Sequence, residues 1–126
     1  MEPDNFAPQE EIPIAWMGDS HDVLRSFPAA VKCDLGYALG QVQFGQSPPD
    51  SRSLSDIGQG VFEFREADAS SWYRLVYLKK TAGRIWVLHC FQKKSNQIQR
   101  RDLELIRQRL KSVKEIIAEE ARDAKG

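Results

Sequence analysis

Residues 71–95, SWYRLVYLKKTAGRIWVLHCFQKKS, decide the fold of this chain. Trp72 to Leu78 is aromatic or aliphatic except for Arg74, and Ile85 to Phe91 is nearly as apolar before Gln92-Lys93-Lys94. Between them, Lys79 to Arg84 breaks the run and supplies Gly83 for a tight turn. Two β-branched and aromatic runs around a glycine-bearing turn predict a β-hairpin. Alternation puts Arg74 on one face with Trp72, Val76 and Leu78. It puts His89 with Val87, Phe91 and Lys93, and Lys94 with Leu88, Cys90 and Gln92. A cation inside the first strand and two more at the end of the second are not what folding alone asks for.

Working outward, Val61-Phe62-Glu63-Phe64-Arg65 alternates cleanly and predicts a third strand, with Phe62 and Phe64 on one face and Val61, Glu63 and Arg65 on the other. Residues 46–53, QSPPDSRS, read as a loop, and Leu54 to Gly60 as a short strand or turn. Further upstream, Ile12 to Met17 reads as a strand whose Pro13 places it at an edge or marks its start. Asp19-Ser20 reads as the cap of a short helix that Pro28 ends. Val31, Leu35, Ala38, Leu39 and Val42 follow one face of a longer helix that stops at Gly45. Gly36 and Gly40 lie on one side of it, an opening for another backbone. Downstream, Leu103, Ile106, Leu110, Val113 and Ile117 form a stripe on a helix from about Gln99 to Arg122. That stripe suits packing on the sheet or a groove for a partner. The domain expected is therefore residues 12–122, preceded by an acidic tail at 1–11 and followed by a frayed end at 123–126.

The 126 residues fit one domain, and 41% hydrophobic with 29% charged fits an ordinary globular chain. Its formal net charge of zero hides a polarity. Residues 1–22 hold six acids and no Lys or Arg, whereas residues 74–114 hold twelve Lys or Arg against two acids, a net of +10. Such a segment predicts a polyanionic partner, nucleic acid first, or else a solvated basic helix. Lys79, Lys80, Arg84, Lys93, Arg100 and Arg101 are its candidate RNA contacts. Cys33 and Cys90 have no metal-type spacing and read as buried free thiols of a reducing compartment. No run reaches membrane-spanning length and the N-terminus is acidic, so a cytoplasmic chain is expected.

No phosphate-binding glycine loop, nucleophile elbow or histidine–carboxylate metal pattern is present in the sequence, so neither metal nor cofactor is expected. What remains is Arg65, Arg74, Lys93 and Lys94 on a sheet, with Glu63 among them. Cleavage of RNA by its own 2′-hydroxyl needs alignment of that oxygen, charge stabilisation on the phosphoryl oxygens and proton transfer. Arginine suits the second task because its planar fork grips phosphate and stays charged. Glu63 suits proton transfer or a salt bridge to Arg65 or Arg74, and His89 suits proton transfer or a place in the core. Trp72 and Trp86 suit base stacking or the core.

FP…DLGYALGQVQFGQSPPD, GQGVFEFR, SWYRLVYL, IWVLHCFQKKS and a helix opening RRDLELIRQRL follow one another from about Ile14 to Leu110. In this order they resemble the phage-derived relatives of the HigB and RelE toxins. The resemblance implies an α+β, RelE-like fold, with an N-terminal strand and a two-helix hairpin packed on a curved antiparallel sheet and a C-terminal helix. It implies a type II toxin that cuts mRNA in the ribosomal A site without metal. It also implies silencing by a cognate helix-turn-helix antitoxin, through which alone operator DNA is reached. By motif, Arg74 matches the strand arginine at the scissile phosphate. Glu63 and Arg65 match positions of basic active-site residues, and Lys93 or Lys94 a second phosphate-binding cation. Glu63 departs from that pattern, and no aromatic residue follows Phe91, so the general base stays unassigned. The competing readings are a nucleic-acid-binding chain without catalysis and a phage-related interaction protein.

Overall fold

A computed structural model describes residues 10–93 and 97–125. Strand β1 (Ile14–Trp16) leads into helices α1 (Ser20–Ser26) and α2 (Ala29–Gln43). Then come β2 (Arg52–Ser53), β3 (Val61–Ala67), β4 (Trp72–Thr81), β5 (Arg84–Lys93) and α3 (Arg100–Lys125). The five strands form one sheet in the order β1-β5-β4-β3-β2. From β2 to β5 every pairing is antiparallel, but β1 pairs parallel with β5. The sheet is mixed, which corrects the expectation of an antiparallel one. Two helices separate β1 from the rest of the sheet, so no tight turn dictates its direction relative to β5. Pro13 sits just outside this edge strand, where its carbonyl accepts a bond from the Ile85 amide at 3.0 Å.

The hairpin turn is shorter than the sequence suggests. Thr81 and Arg84 still pair, so only Ala82 and Gly83 turn the chain, with φ of 51° and 81°. A two-residue turn with positive φ at both positions matches the right-handed twist of its strands. Gly83 adopts that conformation freely, whereas Ala82 is the unusual occupant.

The sheet separates two cores. Leu24 of α1, Phe27 just after it, and Val31, Leu35 and Leu39 of α2 pack against Phe64, Tyr73, Leu75, Tyr77 and Val87 on one face. Ile106, Leu110 and Val113 of α3 pack against Val61, Val76, Leu78, Trp86, Leu88 and Phe91 on the other. From Ile106 to Ile117 the α3 stripe is thus spent on the sheet, and the helix runs on through Lys125. Leu35 and Leu75 are fully buried, so truncating either to alanine is expected to cost about 2–5 kcal/mol.

Three local readings change. β2 forms within the expected loop, while Leu54 to Gly60 takes the turn of its two expected forms. A Cβ on Gly36 or Gly40 would meet nothing within 4 Å, so no described backbone uses that opening. Asp19 makes no side-chain cap to α1; its carboxylate accepts from Arg109 Nη2 of α3 at 2.8 Å. Arg109 crosses Gly18, whose φ of +55° and closeness to that guanidinium leave no room for a side chain.

Candidate functional site

Alternation in β3 and β4 places Glu63 and Arg65, Arg74 and Trp72 on the α3 face of the sheet, beyond the end of the apolar packing. Register pairs Arg65 with Arg74, and two residues along pairs Glu63 with Val76. Arg74 reaches diagonally across to β3 to donate from Nη1 to Glu63 Oε2 at 3.1 Å. Arg65 Nε lies 4.0 Å from Glu63 Oε1, and Arg52 Nη1, from β2, lies 3.8 Å from the same oxygen. Three guanidinium groups therefore converge on one carboxylate.

Their exposure divides the labour. The Glu63 and Arg74 side chains are 1% and 3% exposed, whereas Arg65 is 31% and Arg52 55% exposed. Glu63 and Arg74 form the floor, Arg52 the accessible rim, and Arg65 lines adjoining clefts. A cleft of about 500 Å³ opens here, lined by Arg52, Asp56, Glu63, Arg74, Leu103 and Arg107 among others. Residues on β2, β3, β4 and α3 share it.

Lys93 approaches from β5. It is buried, its Nζ has no hydrogen-bond partner among the described residues, and it lies 5.9 Å from the Phe91 ring centroid. Burial, reinforced by the charge of Arg74, lowers its pKa from the usual lysine value, partly offset by Asp102 and Glu63. A buried cation beside another cation is costly in the free protein, and an anion in the cleft would relieve it.

His89 belongs elsewhere. A register shift between Val76 and Tyr77 leaves Leu88 without a partner in β4, the mark of a β-bulge. The bulge turns His89 to the α3 face with Leu88 and Phe91, away from Val87, contrary to simple alternation. There Nε2 lies 2.9 Å from Asp102 Oδ1, and Arg109 Nη1 lies 3.3 Å from Nδ1. A neutral ring that donates from Nε2 and accepts at Nδ1 satisfies both contacts. Burial lowers the His89 pKa, with Asp102 opposing and Arg109 adding to the shift. Both nitrogens are thus engaged in tying β5 to α3.

The remaining expected residues scatter. Lys94 lies outside the described residues. Lys79, Lys80 and Arg84 stand at the turn end of the hairpin, about 20 Å from Arg74 at the usual strand rise. Arg84 pairs with Glu120 and stacks 4.3 Å from the Trp86 ring centroid. Arg100 and Arg101 lie exposed on the first turn of α3, Arg100 in a pair with Glu104 at 3.1 Å. Cys90 is buried, its thiol pushed up to about 12 by desolvation, but Cys33 is exposed, against the expectation that both are interior. Sequence reading overlooked Arg52 and Arg107 as site residues. The available signals were Arg52's place ahead of an alternating strand and Arg107's position four residues after Leu103 on α3.

A protein-family model described as phage derived protein Gp49-like (DUF891) matches residues 22–111, more than two thirds of the chain. The chain belongs to this phage-derived Gp49-like family. The family is associated with toxin–antitoxin systems. Searches of curated proteins and of solved structures gave no significant match. The Gp49-like region contains every residue of the cleft named above and leaves out β1, Asp19 and the end of α3. Among the described residues no group of three or more His, Cys, Asp or Glu is placed to hold a metal ion, and no helix is long and apolar enough to cross a membrane.

Proposed function

We propose that this Gp49-like chain is the toxin of a type II toxin–antitoxin pair, with the RelE-like fold, and acts as a ribosome-dependent endoribonuclease. The observation that carries the reading is the convergence of Arg52, Arg65 and Arg74 on Glu63 at the floor of one cleft. Arg52 and Arg65 present accessible forks to the scissile phosphate of mRNA. Arg74 and Lys93 add positive charge from beneath, where low dielectric makes it count most against the developing phosphorane charge. Both nitrogens of His89 are engaged, and we assign Glu63, on which the arginines converge, as the base that takes the 2′-hydroxyl proton. The 2′-oxygen then attacks phosphorus to give a 2′,3′-cyclic phosphate, the bond to the 5′-oxygen breaks, and that oxygen leaves with the proton returned by Glu63. The nucleophile is supplied by the substrate itself. Silencing falls to a helix-turn-helix antitoxin, which also mediates any contact with operator DNA.

A second reading has support of its own. Glu63 and Arg74 satisfy one another in a nearly dry pair, so the same cleft suits a chain that binds RNA without cutting it. Primer extension on translated mRNA decides between them. The endoribonuclease reading expects new 5′ ends within codons and growth arrest on induction. Arg65→Ala and Arg52→Ala are better probes than Arg74→Ala, because their side chains are more exposed and the fold tolerates their loss. Each is expected to reduce cleavage about 100-fold. Unchanged toxicity of the folded double variant would sink the assignment.

A further inference from the structure

We propose that Trp72 is the base-stacking residue of a nucleotide subsite beside the arginine cleft, a proposal that deepens the endoribonuclease reading and rests on it. Trp72 opens β4 and is 37% exposed, one of three large hydrophobic side chains left so open among the described residues. The other two, Tyr37 and Phe44, belong to α2 and its end; Tyr37 shares a separate cavity with Arg65, but neither lines a cleft with Arg52 or Arg74. Trp72 stands two residues before Arg74 on that face, about 7 Å along the strand. One nucleotide spans such a distance, so a phosphate at the arginines brings a neighbouring base to the indole.

The surroundings fit a base. A shallow cleft of about 280 Å³ is lined by Pro49, Asp50, Arg52, Arg65 and Trp72. The Arg65 guanidinium carbon lies 6.0 Å from the Trp72 ring centroid, so phosphate grip and ring are held together. Pro49 adds an apolar wall. Asp50 repels a phosphate, which keeps the backbone on the Arg52 and Arg65 side and leaves the indole to the base. Trp86 has none of these properties. It is 1% exposed, covered by Arg84, and its indole N–H donates to the Thr81 carbonyl at 2.9 Å. Stacking accepts any base, so the subsite adds affinity for single-stranded RNA with little sequence preference.

The test is titration of the full chain with a short single-stranded RNA whose 2′-hydroxyls are methylated, followed by tryptophan fluorescence. Quenching is expected in the parent and in Trp86→Phe. Trp72→Leu is expected to lose it and to bind about tenfold more weakly. Trp72→Phe, which keeps an aromatic face, is expected to stay within about threefold of the parent. The salt dependence of binding should be unchanged in Trp72→Leu and shallower in Arg65→Ala. Equal binding by parent and Trp72→Leu, or no binding by the parent, overturns the subsite. Primer extension separates the two readings. Cleavage by Trp72→Leu at the parent's rate removes the subsite alone, and no cleavage by the parent removes the endoribonuclease reading beneath it. Far-ultraviolet circular dichroism of each variant guards against misfolding, with Trp72→Phe as the less disruptive change.

Discussion

The two ends of the β4–β5 hairpin carry cations of the same kinds in different surroundings. At the turn end Arg84 lies over Trp86 and pairs with Glu120, so its charge is met by its own chain. At the open end Arg74 and Lys93 are buried, and the Glu63 carboxylate is shared by three arginines. The first arrangement is a solvated ion pair worth little to stability. The second concentrates positive charge in a low-dielectric floor beneath an open cleft. Residue type does not distinguish the two ends; burial and the ratio of cations to carboxylates do.

Substitutions at either end sharpen that contrast. Glu63→Ala is expected to have the largest effect on the fold, a loss of about 3 kcal/mol, because it takes the 3.1 Å carboxylate from a buried arginine. Denaturant unfolding measures it, and a change below about 0.5 kcal/mol would mean the open end is no more buried electrostatically than the turn end. Arg65→Ala should leave the unfolding midpoint nearly in place while lowering cleavage about 100-fold.

His89 gives a pH signature. Its folded pKa lies below the ordinary value, so the unfolded chain binds more protons in between. Its contribution is complete above about pH 6.5 and is lost as pH falls from there toward the folded pKa. His89→Gln should flatten that acid limb and cost about 1–2 kcal/mol near neutrality through the lost Asp102 bond. Unfolding free energies at pH 7.5 and 5.5 provide the check.

Lys93 has the same sign in a different window. Its lowered pKa means that its charge opposes folding at neutral pH, a cost relieved as pH rises toward the unfolded lysine value. Lys93→Met is therefore expected to raise the melting temperature at pH 7, by about 1 kcal/mol in stability, while weakening RNA binding. A less stable Lys93→Met would show that the ammonium is well solvated or paired. The smallest effect belongs to Arg84→Ala, about 0.5 kcal/mol with cleavage unchanged. A large loss of cleavage there would dissolve the distinction between the two ends.

Much of the frame was legible in the chain. The hairpin, β3, the helix pair and α3 each follow from a local period, which only the bulge in β5 interrupts. Misreadings fell where a distant segment overrode the local signal. Asp19 has a capping residue's chemistry, but Arg109, ninety positions away, takes its carboxylate. Strict alternation placed His89 with Val87 because a bulge leaves no trace in a run of apolar residues. β2 is two residues long, and its pairing with β3, not its composition, makes it a strand.

For the site, the sequence alone determined the inventory: a hairpin bearing Arg74 and Lys93, an alternating strand bearing Glu63 and Arg65, and a strongly basic second half. Side-chain period and charge sign are local properties, so they can be read before folding. The tertiary structure decided which cations meet. Sheet register brought Arg52 and Arg65 to Glu63, packing of α3 engaged His89, and Glu120 took up Arg84. These outcomes depend on distance and burial between segments far apart in the chain, and electrostatic strength is set by both.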